Sequence, residues 1–180
     1  VGNDEQAKMI ETEEEAIQKL YSWLDDKLTK MYQALAKQEY RDALFWFGYS
    51  FHAIQDLASH KGMTNAQHAY LSSMGKNPDL APEVFTLVRK LGVIYLRAMR
   101  DELGDAYWHL LTHYPGKPLA EREKERLLGH GQDNNLGELM YYQSLAESYK
   151  KLKEPYFIEW DAEKILENYL SRRRYQRKGL

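Results

Sequence analysis

Two short series of histidine and aspartate residues recur at four-residue steps in this 180-residue chain. They are His52, Asp56 and His60 and, in reversed order, Asp105, His109 and His113. Four residues advance an α-helix by about 40° beyond a full turn and by about 6 Å along its axis, so neighbouring members of a series share one helix face. Imidazole and carboxylate groups at that spacing can hold a divalent transition metal ion. The two series therefore predict a metal centre.

The first series is too long for a single ion, because His52 and His60 lie about 12 Å apart along a helix axis. It predicts an Asp56 carboxylate between two metal positions, each with its own histidine. If the two helices pack antiparallel, the reversed second series supplies a partner at each level. The expected pairs are His52 with His113, Asp56 with His109, and His60 with Asp105. His68, on the intervening segment, is placed to close one end. The alternative is that both series are polar helix faces with ordinary hydrogen bonds and salt bridges.

Helices must position these residues, because apolar side chains recur at intervals of three and four and not of two. The expected helices cover residues 12–35, 40–60, 67–74, 82–114, 120–128 and 136–153, with a last helix after Asp161. This pattern predicts an all-α fold: a single-domain bundle of about six or seven helices over residues 1–180, with the metal-site residues on two long helices. Residues 1–11 and 172–180 are expected to be frayed tails.

Two glycines, Gly92 and Gly104, fall inside the longest predicted helix. A glycine in a helix interior costs about 1 kcal/mol relative to alanine, so a close helix crossing or a break is expected near either residue. Basic residues crowd the carboxyl end of the chain: Arg172, Arg173, Arg174, Arg177 and Lys178. We expect this cluster to be a solvated tail, and contact with a phosphate or an acidic partner is the alternative.

Composition excludes several classes of protein and of site. With 43% apolar and 29% charged residues the chain suits one globular domain, and a formal charge of -2 excludes a bulk affinity for nucleic acid or anionic lipid. No apolar run reaches the roughly 18 residues that a membrane-spanning helix needs. The absence of cysteine excludes disulfides, thiolate zinc ligands and a cysteine nucleophile, so metal ligands must be histidine and carboxylate. The motifs of di-iron bundles, zincins and serine hydrolases are also missing.

The segment Gly48-Tyr-Ser-Phe-His52-Ala-Ile-Gln-Asp56-Leu-Ala-Ser-His60-Lys-Gly62 resembles the metal-binding helix of the zinc-dependent phospholipase C superfamily, which also contains fungal single-strand nucleases. The resemblance implies an all-helical domain with a three-zinc cluster, in which His52 and Asp56 match a His-x-x-x-Asp motif and His60 serves a neighbouring zinc. The chain departs from that pattern at two points. It begins with Val1 where the family has a ligating tryptophan, and Asp105, His109 and His113 would replace a later His-x-x-x-Glu, so that two ions are as plausible as three.

These features predict a metal-dependent phosphoric ester hydrolase, phospholipase C-like or nuclease-like, that cleaves phosphodiesters. The expected cofactor is zinc, as two or three ions, or another divalent metal. Asp56 is the expected bridging catalytic carboxylate, and Asp101 or Glu102 is expected to orient a ligand or act as a base. The expected substrate is a phospholipid head group or a nucleic acid, and peripheral membrane contact and the oligomeric state stay open.

Two alternatives of a different class remain at this point. One is a non-catalytic helical binding or structural domain with a vestigial or structural metal site, and the other is a subunit interface without metal. Because the chain starts at Val1 and not at Met, we also expect that it is secreted or excised from a larger precursor, for example a modular secreted bacterial protein.

Overall fold

The structure, a computed structural model, describes residues 13–60, 65–116, 120–128, 147 and 160–178. All regular elements in these ranges are helical, which confirms the predicted all-α class. The helices are α1 (Glu13–Ala36), α2 (Tyr40–His60), α3 (Asn65–Ser73), α4 (Phe85–Thr112), α5 (Glu121–Leu128) and α6 (Ala162–Lys178), and the two 3-10 turns Pro78–Leu80 and Pro82–Val84 precede α4. None of these helices is both long enough and apolar enough to cross a membrane. The expected tail 1–11 and the expected helix 136–153 lie outside the described residues.

α1 and α2 form a tightly connected helical hairpin. Apolar residues at intervals of three and four give α1 one buried face, on which Leu28 and Met31 are fully buried against the rest of the core. The chain turns at Gln38, whose φ is 61°, and the Glu39 N–H donates to the Ala34 carbonyl at 2.9 Å. Since burial of one such side chain contributes about 1.5–3 kcal/mol, this face holds the hairpin together.

α2 and α4 run antiparallel, and a close approach at Gly92 sets their register. A methyl group added to Gly92 would lie 3.3 Å from the ring of Phe51, so the expected close helix crossing occurs here. The ring centroids of Phe51 and Tyr95 are 6.2 Å apart. Near the amino end of α2, the ring of Tyr40 packs on Tyr114, with centroids also 6.2 Å apart. The middle of α2 is therefore level with the first half of α4, and its amino end is level with the end of α4.

α4 is interrupted at Gly104, where the sequence analysis expected a break. Gly104 has φ 78° and ψ 161°, which is a conformation outside the helical region and open to glycine. Beyond this residue the ring of Trp108 meets the ring of Phe47 edge-on, with centroids 5.8 Å apart. The last two turns of α4 therefore lie along the amino-terminal half of α2.

α6 packs across α1 and α4 and includes most of the basic cluster. The helix continues to Lys178, so the structure differs from the expected frayed tail at residues 172–180. Arg173 is only 16% exposed, and its guanidinium contacts Glu102 at 3.0 Å and Asp25 at 3.2 Å. Contact of the basic cluster with an acidic partner was the expected alternative, and for Arg173 the acidic groups are Glu102 and Asp25 of the same chain.

Candidate metal centre

Three side chains from three different elements meet at one end of the bundle. His60 is the last residue of α2, His68 lies in α3, and Asp79 lies in the first 3-10 turn. Their Nε2 and carboxylate atoms are joined by two contacts: His60 Nε2 to Asp79 Oδ1 at 2.7 Å and His68 Nε2 to Asp79 Oδ2 at 3.2 Å. One ligand atom from each residue lies within 4.8 Å of the others.

The local sequence around Asp79 explains how its carboxylate is positioned. Pro78 fixes φ at the first position of the 3-10 turn and is buried, which anchors the turn to the core. The side chain of Asn77 caps the turn and accepts a hydrogen bond from the Asp79 N–H at 3.0 Å. The Asn-Pro-Asp sequence therefore holds the carboxylate of Asp79 toward the two histidines. Sequence reasoning missed Asp79, although this capped turn in a long connection was a readable signal.

His52 and Asp56 extend the cluster back along α2. Asp56 Oδ1 lies 4.0 Å from His60 Nε2, and Asp56 Oδ2 lies 3.4 Å from His52 Nε2. The side chain of His52 is 69% exposed, whereas that of Asp56 is 27% exposed. The four-residue spacing therefore produces the single face that the sequence predicted, with Asp56 between the two histidines.

The two carboxylates of the centre have opposite pKa shifts. Burial would raise the pKa of Asp79, but the hydrogen bonds and charges of His60 and His68 outweigh it, so this pKa lies below its ordinary value. Burial raises the pKa of Asp56 above its ordinary value, and the charges of His60 and His52 offset this only in part. At neutral pH Asp79 is thus firmly ionised, as a metal ligand must be.

The residue types and the proximity of His60, His68 and Asp79 suit a small divalent ion. A tetrahedral Zn²⁺ with bonds of about 2.0–2.1 Å needs ligand atoms about 3.3 Å apart. The two histidines contact different oxygens of Asp79, at 2.7 Å and 3.2 Å, and one ligand atom of each residue lies within 4.8 Å of the others, so the side chains must rearrange to hold one ion. Two imidazoles and one carboxylate leave a fourth position for water or substrate, which is the arrangement of catalytic zinc sites. All three side chains are partly exposed, so an ion can enter from solvent.

A cleft of about 460 Å³ lies beside the cluster. Ser59, which precedes His60, and Pro78 and Leu80, which flank Asp79, are among its lining residues, as is Lys76. The three candidate ligands do not line this cleft themselves. It is therefore a neighbouring space, with one cationic side chain, Lys76, and one anionic side chain, Glu83, at its wall.

The second predicted series lies elsewhere. Because Tyr114 packs on Tyr40, His113 is near the amino end of α2, about 18 Å along that helix from His52. In the register of the structure, His52 therefore does not face His113 as expected. His109 and His113 stack on each other with ring centroids 4.2 Å apart.

The remaining candidate residues lie on α4, outside the cluster. Asp105 is 88% exposed and pairs with Arg100 at 3.2 Å, and Asp101 is exposed. The side chain of Glu102 is 3% exposed and accepts hydrogen bonds from Arg173 and Tyr32. The start of α4 is the end of this helix nearest the cluster, and Glu102 lies about 25 Å farther along the helix. Glu102 is therefore remote from the cluster. The structure thus gathers part of the predicted set, His52, Asp56, His60 and His68, and adds Asp79.

Comparison of the chain with protein-family models, with characterised proteins and with solved structures gave no match. The arrangement of the side chains is therefore the basis on which a function can be assigned.

Proposed function

We propose that this protein is a metal-dependent phosphoric ester hydrolase that binds a divalent ion, preferably zinc, at His60, His68 and Asp79. The observation that carries the proposal is the convergence of these three residues from α2, α3 and a 3-10 turn onto one point, with ligand atoms within 4.8 Å. Their types are those that suit zinc in a protein without cysteine. We also propose that the whole chain folds as a single bundle of six or seven helices.

A second ion is proposed beside the first, with His52 and Asp56 as its ligands. Asp56 Oδ1 faces His60 and Asp56 Oδ2 faces His52, so this carboxylate has one oxygen for each position. Burial raises the pKa of Asp56, because the nearby histidines compensate its charge only in part, and a bound cation would supply the missing compensation. The proposed centre thus lies on one long helix and the connection that follows it.

When bound, zinc ions at such a centre polarise a phosphoryl oxygen and lower the pKa of water, which is the chemistry that phosphodiester hydrolysis requires. The residues of the chain have separate tasks. Asp79 and His68 fix the position of His60 through their mutual contacts. Lys76, at the wall of the cleft, offers an ammonium group to a phosphate oxygen. A phospholipid head group and a nucleic acid share the phosphodiester that these groups would recognise.

The proposal is tested by metal analysis followed by an activity assay. The full chain, freed of metal and reloaded with zinc, is expected to retain two equivalents after dialysis, measured by plasma mass spectrometry. Asp79→Asn and His68→Gln are expected to lose at least one equivalent, and Asp56→Asn the second. Asp101→Asn, an exposed carboxylate on α4, is the matched control and should retain both. The same proteins are then assayed for hydrolysis of bis-nitrophenyl phosphate, a generic phosphodiester.

Absence of bound zinc in the wild-type chain under all loading conditions would overturn both the metal site and the hydrolase. Retention of zinc without hydrolysis of any phosphodiester would leave the second candidate, a structural metal site in a non-catalytic helical domain. A specific observation supports that candidate: the cluster ties the end of α2 to α3 and to the turn before α4, so that an ion there would fasten the connection. In that case zinc should raise the unfolding temperature of the wild type but not of Asp79→Asn. A domain of this kind suits a module of a larger secreted bacterial protein.

A further inference from the structure

A second group of potential ligands lies at the opposite end of α2. His109 is in the last turn of α4 and His113 is its cap residue, four positions on. Both side chains are exposed, and their rings stack nearly parallel, with centroids 4.2 Å apart and an interplanar angle of 20°. Histidines four residues apart are neighbours on a helix surface, so side-chain rotation can bring one ring nitrogen of each to the same ion. No third histidine or carboxylate of the described residues joins them.

The tautomer of His113 is fixed by its neighbours. The Thr112 hydroxyl donates to the Trp108 carbonyl at 2.8 Å, so its oxygen can only accept from His113 Nδ1, 2.9 Å away. His113 Nδ1 also lies 3.1 Å from the His109 carbonyl, which can only accept. Both contacts therefore require a proton on Nδ1, and Nε2 keeps its lone pair. A backbone carbonyl that receives the Nδ1 proton of a ligating histidine is the usual support for binding through Nε2.

We infer that His109 and His113 form a separate site for one divalent transition metal ion, of the Zn²⁺, Ni²⁺ or Cu²⁺ type, with water as the remaining ligands. Two protein ligands hold the ion weakly, so this site empties during the dialysis that leaves the zinc of the proposed centre in place. The position favours a cation, because the carbonyls of the last turn and the negative end of the helix dipole lie there. Imidazole ligands select these ions over Mg²⁺ and Ca²⁺. The inference is independent of the proposed hydrolase, since it shares no residue with the cluster around His60.

The site also has a structural consequence. Gly104 interrupts α4, so the segment from Asp105 to Thr112 is a helix of only two turns. Short helices are unstable on their own. An ion bound to two residues four positions apart cross-links one helical turn and so opposes its unfolding. Metal binding at this site is therefore expected to stabilise the carboxyl end of α4 against opening.

The test uses the full chain carrying Asp79→Asn, His68→Gln and Asp56→Asn, which disable both ion positions of the proposed centre. Titration calorimetry with Ni²⁺ is expected to give one equivalent of binding, and His109→Gln or His113→Gln added to this background is expected to weaken it by at least about tenfold. Thr112→Val keeps both histidines but removes the hydroxyl, and it should weaken binding by less than either histidine change. Far-UV circular dichroism of the metal-free variants checks that these exposed substitutions leave the fold intact.

A second readout separates a true bridge from incidental coordination. Ni²⁺ is expected to raise the unfolding temperature of the background protein, and this rise should vanish in His109→Gln. Asp101→Asn, an exposed carboxylate earlier on α4, is the control and should leave both the affinity and the rise unchanged. Binding that persists unchanged in both His109→Gln and His113→Gln would overturn the inference, as would binding that Asp101→Asn abolishes.

Discussion

The buried carboxylate of Glu102 offers the sharpest test of how this fold is held together. Replacement of Glu102 by glutamine is expected to lower the free energy of unfolding by about 2–3 kcal/mol. The side chain is 3% exposed and receives two hydrogen bonds from Arg173, at 3.0 Å and 3.1 Å, and one from Tyr32 at 3.0 Å. Arg177 adds a contact at 3.3 Å. These bonds join α1, α4 and α6, so their loss affects three helices at once.

The expected loss in the free energy of unfolding depends on which partners Arg173 retains once Glu102 has lost its charge. Breaking a buried ion pair at one partner costs about 3–5 kcal/mol, because the other charge is left uncompensated. Here Arg173 keeps Asp25 at 3.2 Å, and glutamine keeps one acceptor oxygen, so the expected cost lies at or below the lower limit of that range. Burial would lower the pKa of Arg173, but its interactions with Glu102 and Tyr169 outweigh burial, so this pKa lies above its ordinary value.

The assay is urea unfolding, followed in parallel by far-UV circular dichroism and by tryptophan fluorescence, with thermal unfolding as a second measure. For a chain of this length the loss corresponds to a decrease of roughly 4–12 °C in the unfolding temperature. Asp101→Asn, one position earlier and exposed, is the control and should change the free energy by less than about 0.5 kcal/mol. Arg173→Met combined with Glu102→Gln should cost less than the sum of the two single changes. If Glu102→Gln unfolds at the same urea concentration as Asp101→Asn, the reasoning is refuted.

Two further predictions concern buried tyrosines and glycines. Burial raises the pKa of Tyr95 and of Tyr169 well above the ordinary value of 10.0, so both stay protonated in the folded chain while the unfolded chain ionises. The stability that these two tyrosines contribute is complete below pH 10, and above pH 10 the free energy of unfolding should fall by roughly 3 kcal/mol per pH unit. Tyr175→Phe, at an exposed position, is the control and should show the same pH profile as the wild type. A free energy of unfolding that does not change between pH 10 and 12 would contradict this expectation. Gly48→Ala, with no atom within 4 Å of the added methyl group, should stabilise the protein by about 0.5–1 kcal/mol, whereas Gly104→Ala should destabilise it because of its positive φ. Urea midpoints of the two variants that move in the same direction would count against this pair of expectations.

Much of the fold could be predicted because it depends on local pattern. The interval of three and four between apolar residues identifies each described helix, and the turn signals place their ends within a few residues. Gly92 and Gly104 were expected to mark a crossing or a break, and the structure has one of each. A glycine inside a helix is costly, so its presence indicates that something else requires it. The basic end of the chain was expected to be solvated, because a sequence alone does not show that the carboxylates of Glu102 and Asp25 lie beside it.

The candidate site was predicted in the part that lies on α2 and, with His68, on the segment that follows it. His52, Asp56 and His60 share a face because helical geometry fixes residues four apart, whatever the tertiary structure. Asp79 was missed because its position depends on how a connection folds back over the end of α2, and this is set by the burial of Pro78 and the cap from Asn77. Local pattern therefore identifies a ligand on a helix more readily than one on a turn.

The predicted pairing of residues from the two histidine series was wrong for a different reason. The pairing was conditional on antiparallel packing of α2 and α4, which the structure has, but a periodic sequence determines which face of a helix is buried and not how far one helix slides along the other. In the observed register the ring of Phe51 packs against Gly92, where an added methyl group would lie 3.3 Å from that ring. In this register His60 lies beside the turn before α4, and His109 lies at the other end of α2. Two histidine series on antiparallel helices are thus two separate sites unless the small residues at the crossing bring them level, and the position of such a glycine is the first feature to read before ligands on different helices are assigned to one ion.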